Sequence, residues 1–91
     1  MSDESFSRTY VHKFKTGNTC TVKITLTSNN LDISATWENE PNWSQIRAEY
    51  RQWRSVACDD FINHLEPVWQ VTCALCIGAG RTTTSVHRAA T

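Results

Sequence analysis

The chain has few punctuating residues, three glycines and two prolines among 91 positions, and no surplus of either charge: nine Lys plus Arg balance nine Asp plus Glu. A general nucleic-acid neutraliser carries a clear basic excess, so that class is excluded, although a local basic patch is not. No apolar run approaches the ~18 residues that a membrane helix needs. The opening from Met1 to Ser5 is acidic and polar, without the basic-then-apolar order of a signal peptide. The expected location is therefore cytoplasmic, where thiols stay reduced. No phosphate loop, H-E-x-x-H, nucleophile elbow or catalytic carboxylate pair can be read from the chain. The expectation is a non-enzymatic protein with no cofactor and no metal.

What is present is a run of alternating segments. Residues 8–16 place Tyr10, His12 and Phe14 on one side and Val11, Lys13 and Lys15 on the other. Gly17-Asn18 suits the positive φ of a hairpin turn. In residues 19–27, Cys20, Val22, Ile24 and Leu26 share one face and threonines with Lys23 the other, the pattern of a strand with one buried side. After Ser28-Asn29-Asn30, residues 31–37 repeat it, with Leu31, Ile33, Ala35 and Trp37 inward. Pro41 closes this meander. Asn42 can cap a helix, with Gln45 completing a capping box. Ile46, Tyr50, Trp53, Ala57, Phe61 and His64 then form an apolar stripe at helical spacing, which Pro67 stops near Leu65. Residues 68–77, with Trp69, Val71, Cys73, Leu75 and Ile77 on one side, read as a final strand.

The expected fold is a two-layer α+β domain over residues 1–80, ordered β-β-β-α-β. Its three-stranded antiparallel meander carries one helix, and a C-terminal strand joins the same sheet. The right-handed crossover rule makes that last strand parallel to the third, and the expected place for it is beside the first. Residues 1–5 read as a loose lead-in and residues 81–91 as a flexible polar tail. A free edge on the strand ending at Gly78 would permit sheet extension across a dimer.

Trp37, Pro41, the Tyr50-Arg51-Gln52-Trp53-Arg54 run and the segment 68–77 together resemble a type of short protein common in phages and integrated mobile elements. In that type a strand ends in Trp, a Pro follows, and a helix carries Tyr-Arg-x-x-Arg before a final strand. The resemblance covers residues 31–75 and implies a mobile-element background. Such proteins mostly lack an assigned activity, so it implies no mechanism.

Four groups of residues invite a chemical reading. Cys73 and Cys76 form a C-x-x-C pair, but on a strand residues i and i+3 point to opposite faces, so the expectation is buried thiols, with Cys20 and Cys58 also packed as small hydrophobes. Arg47, Arg51 and Arg54 line one flank of the helix, while Glu49, Asp59 and Asp60 lie across the apolar stripe. That segregation forgoes favourable i,i+4 pairing and opposes the helix dipole. It marks either an arginine stripe for phosphate or an acidic protein surface, or arginine stems packed over the sheet and paired with Glu38, Glu40 or Asp32. Trp43, one turn before Arg47, is a staple for the helix start or an interface anchor. Lys13, Lys15 and Lys23 on the outer strand faces are a possible nucleic-acid surface or simply solvated. His12 and His64 read as satisfied, partly buried histidines.

The leading expectation is a small interaction protein of mobile-element type, acting alone or as a homodimer, that binds a protein partner through Trp43, Arg47, Arg51 and Arg54. The alternatives are a nucleic-acid-binding module using Lys13, Lys15 and Lys23, whose affinity would fall steeply with salt, and a small-ligand protein with a helix–sheet pocket lined by Trp53, Phe61 and Trp69.

Overall fold

The computed structural model describes residues 5–88; residues 1–4 of the expected lead-in and 89–91 of the expected tail lie outside the described residues. Strands β1 (Phe6–Lys13), β2 (Thr19–Leu26) and β3 (Leu31–Trp37) form an antiparallel meander. The inward residues of β2 and β3 are all buried, as strict alternation requires of a sheet with one covered face. The first hairpin closes through Gly17 at φ +91°, a left-handed conformation that glycine adopts without a Cβ penalty. Asn18 does more than turn the chain. Its side-chain oxygen accepts from the N–H groups of Thr19 and Asn39, and its amide donates to the Asn39 carbonyl at 2.8 Å. These bonds tie the hairpin to the loop that follows β3.

Helix α1 (Trp43–Asn63) begins at Asn42, as expected, but no side-chain cap bond forms; the Asn42 carboxamide oxygen instead accepts from Ser44 Oγ at 2.7 Å. Ile46, Tyr50, Ala57 and Phe61 are buried, Trp53 is half-buried, and His64 lies exposed past the helix end.

Residues 68–77, expected as a strand, are helical: α2 spans Pro67–Gly78. Pro67 stops α1 but starts α2, because a first-turn residue has no intrahelical partner for the N–H that proline lacks. The segment is apolar on nearly every side, so its pattern separates period 2 poorly from period 3.6. Gly80, at φ +72°, then turns the chain out of the helix. The fourth strand, β4 (Thr82–Arg88), comes from the segment expected as a polar tail and pairs with β3 in parallel along its whole length.

The sheet order is β1-β2-β3-β4, with β4 beside β3 and not beside β1. Local geometry explains the placement. The Arg81 N–H donates to the Cys76 carbonyl at 2.8 Å, and the Leu31 N–H donates to the Arg81 carbonyl at 3.0 Å, so the chain leaves α2 directly against the start of β3. The architecture is two-layer α+β, a four-stranded mixed sheet under two helices, ordered β-β-β-α-α-β. Its core is aromatic at one end, where Trp37 stacks on Phe14 at 5.2 Å and meets Trp43 and Tyr50 at 5.4 Å each.

Candidate partner-binding groove

The two flanks of α1 have different fates. The acidic flank faces β1. Arg8, Tyr10 and His12 alternate on the inner side of that strand, opposite the buried Ile24, Val22 and Cys20. Tyr10 donates to Asp60 at 2.6 Å, Arg8 lies 3.9 Å from the same carboxylate, and His12 Nε2 meets Glu49 at 2.9 Å. His64 Nδ1 also comes within 3.4 Å of Asp60. The hydrogen bond from Tyr10 holds the Asp60 carboxyl below its ordinary pKa, and the one from His12 does the same for Glu49. Burial, reinforced by the bond to Asp60, pushes the Tyr10 hydroxyl up to about 12. His12 also stacks on Trp53 at 5.2 Å. Both histidines are thus engaged locally.

The basic flank borders β4 at its two ends. Arg54 shares a cavity wall with Thr82 and Thr84, and Trp43 shares a groove wall with Val86 and Arg88. Helical spacing sets Arg47 and Arg51 between these two ends. Among the described residues none of the three arginines forms an ion pair; Glu40, one of the acids considered for them, pairs with Arg88 at 3.2 Å instead. The parallel register puts Thr82, Thr84, Val86 and Arg88 on the helix side of the sheet, yet all four are exposed, Val86 by 56%. The helices cover β1 to β3 and leave the inner face of β4 open.

Two separate depressions therefore border β4, one at the Trp43 end and one at the Arg54 end, while Arg51 lines a shallow depression of its own with Arg54, Ser55 and Cys58. Trp43 contributes at one end while packing on Trp37 and Tyr50, so it both staples the helix start and borders the groove. At the other end lies an apolar cavity of about 190 Å³ between α1, α2 and the sheet. Of the residues expected to line a ligand pocket only Phe61 does so; Trp53 sits on the β1 side against His12, and Trp69 packs on Phe6 at 6.0 Å.

The expected lysine surface does not converge. Lys13 and Lys23 point to the outer sheet face, but their ladder partners, Thr19 and Thr9, put them four positions apart, about 13 Å at strand rise. Lys15 lies past the end of β1, its N–H 3.4 Å from Glu49 on the helix side. The cysteines are free thiols, three of them buried. Cys73 and Cys76 are i,i+3 on a helix and so share a face, contrary to the strand geometry expected for them. Burial pushes Cys20 up to about 11 and raises Cys58 and Cys73, which keeps these thiols protonated and poorly nucleophilic. One surface had no forewarning in the reading of 68–77 as a strand: Val68, Val71 and Leu75 stand exposed along α2. No family model, curated protein or solved structure matches the chain.

Proposed function

We propose that this is a binding module whose α1–β4 groove takes an acidic, apolar-studded segment of a partner protein. One observation carries the reading: Glu49 and Asp60 on the acidic flank of α1 are matched within the chain, and among the described residues Arg47, Arg51 and Arg54 on the basic flank form no ion pair. Segregating the charges costs the helix a few tenths of a kcal/mol per lost or repulsive pair. For Glu49 and Asp60 the contacts to β1 offset that cost. For Arg47 and Arg51, and for the charge of Arg54, which meets the neutral Cys58 thiol and no carboxylate among the described residues, a partner would supply the offset. Carboxylates are the natural partners of a guanidinium fork, and the exposed Val86 and the cavity beside Arg54 offer apolar contact between them. A mobile-element setting would suit a small protein that works by occupying a surface of another.

The test uses a labelled peptide of alternating Asp and Val followed by fluorescence anisotropy. Binding is expected to weaken with salt and to drop at least tenfold when Arg47, Arg51 and Arg54 are changed together to Ala, with the thermal midpoint nearly unchanged. Replacing Lys13 and Lys23 by Ala is expected to have no effect. Equal losses from both sets of substitutions would remove the groove and favour a diffuse electrostatic surface.

A further inference from the structure

We infer that the cavity at the Thr82 end of the groove is a site for a small apolar monocarboxylate, its hydrocarbon body held between helices and sheet and its anionic head at Arg54. The walls decide the body of the ligand. Ile24, Leu31 and Ile33 rise from the sheet, Phe61 and Ile62 come from α1, and Ile77 comes from α2. Ile24 and Phe61 are almost fully buried and form the deep end, whereas Thr82 and Thr84 are exposed and Arg54 half-buried, which sets the polar groups at the opening.

The volume sets the size. A dry apolar cavity of about 150 Å³ is known to accept benzene, so about 190 Å³ holds a single ring with a short side chain, or an alkyl chain of similar bulk. A polar ligand would leave its own groups without partners against aliphatic walls, at a cost that excludes it.

The head is decided by Arg54. It is the charged residue among those lining the cavity, and it forms no ion pair among the described residues. Cys58, also on the wall and within hydrogen-bond reach of Arg54, has a thiol that burial holds in its neutral form, so it does not repel an anion and leaves the guanidinium charge unneutralised. Two hydroxyls, of Thr82 and Thr84, stand at the same opening as further donors. This site does not depend on a protein partner, and its probe touches neither Arg47 nor Arg51.

The five isoleucines provide the readout, because Ile24, Ile33, Ile62 and Ile77 line the cavity and Ile46 does not. Methyl NMR of isoleucine-labelled protein is followed during titration with phenylacetate, hexanoate and the neutral methyl ester of phenylacetate. The expected result is saturable shifts of the four cavity methyls, with a Kd on the order of 0.1–1 mM for so small a ligand, while Ile46 stays still. The ester is expected to bind about tenfold more weakly than the acid, the lower end of what one hydrogen bond to a charged group contributes. Arg54→Gln is expected to erase that difference while leaving ester binding intact. Thr84→Phe, which puts a ring into the opening, is expected to abolish both; Ile77→Phe blocks from the helix side if the first variant does not fold. Shifts that never saturate, Ile46 moving with the rest, or an acid preference that survives Arg54→Gln would each overturn the assignment. Failure here with the Asp-Val peptide still bound through Arg47 and Arg51 would remove the ligand site and leave the partner groove standing.

Discussion

Among the described residues Trp37 is the largest fully buried side chain, and its indole N–H meets no hydrogen-bond acceptor there. Trp37→Phe separates the two consequences of that placement. Removing the five-membered ring empties about 40 Å³, which at ~24 cal/mol per Å³ costs about 1 kcal/mol. The lost apolar burial, about 40 Å² at ~25 cal/mol per Å², costs about 1 kcal/mol more. Against this, a buried donor without an acceptor carries a desolvation penalty of about 1–3 kcal/mol, and phenylalanine has no such donor. The phenyl ring keeps the stack on Phe14 and the contacts with Trp43 and Tyr50. The net change is therefore within about 1 kcal/mol of zero, where burial alone would give a loss of about 2. Urea unfolding, followed by the fluorescence of the other three tryptophans, measures it directly, with an unchanged slope confirming that only stability moved. A loss of about 2 kcal/mol or more would mean that the N–H is satisfied in solution, and the reasoning would be refuted.

Two further outcomes follow from the same geometry. Tyr10 has a folded-state pKa raised from 10.0 to about 12, so the stability its neutral form contributes is complete below pH 10 and lost as pH rises from 10 to 12. Tyr10→Phe is expected to flatten that part of a stability–pH profile measured by urea midpoints, and an unchanged profile would show that Tyr10 does not cause the decline. Val71 and Leu75 are each 61% exposed, so changing either to Lys is expected to alter stability by no more than about 0.5 kcal/mol. A larger loss in thermal melts would show that this face of α2 is covered in solution.

The meander was legible because β2 and β3 alternate without exception and one of their faces is fully buried. Helix α1 was legible because Ile46, Tyr50, Ala57 and Phe61 recur at one face. The C-terminal third was not, for opposite reasons in its two elements. In α2 apolar residues surround the helix, with Val68, Val71 and Leu75 outside and Cys73 and Cys76 inside, so the pattern carried little period. In β4 threonines fall on both faces and neither face is buried, so there was no apolar alternation to find; its run of β-branched residues was the available signal. Pro67 stops one helix, and in sequence nothing distinguishes that role from its favoured place in the first turn of the next. The arginine flank was legible from spacing alone. The strand that borders its two ends was not, because that strand is β4. Asn18, marked only as half of a turn dipeptide, showed nothing in sequence of the three bonds that anchor it to Thr19 and Asn39.

The charge segregation of α1 gives the sharpest separation of fold from function. Arg47 precedes Arg51 by one turn, a like-charge pair that costs a few tenths of a kcal/mol. It also sits in the N-terminal half of a helix whose macrodipole favours acids there. Arg47→Glu turns that repulsion into a Glu–Arg pair in the better of its two orientations, and removes no ion pair seen among the described residues. The substitution is expected to leave the protein as stable or more stable by a few tenths of a kcal/mol while sharply weakening uptake of the acidic peptide. A residue kept for folding would show the reverse coupling, with stability and binding falling together. Thermal melts and peptide anisotropy on the same preparation distinguish the two, and a drop in both would assign Arg47 to the scaffold. The matched acids on the opposite flank supply the contrast: Asp60→Asn removes the charge that faces Arg8 and His64 and leaves Tyr10 a neutral acceptor, and is expected to lower the melting temperature without touching peptide binding, because its contacts close inside the chain.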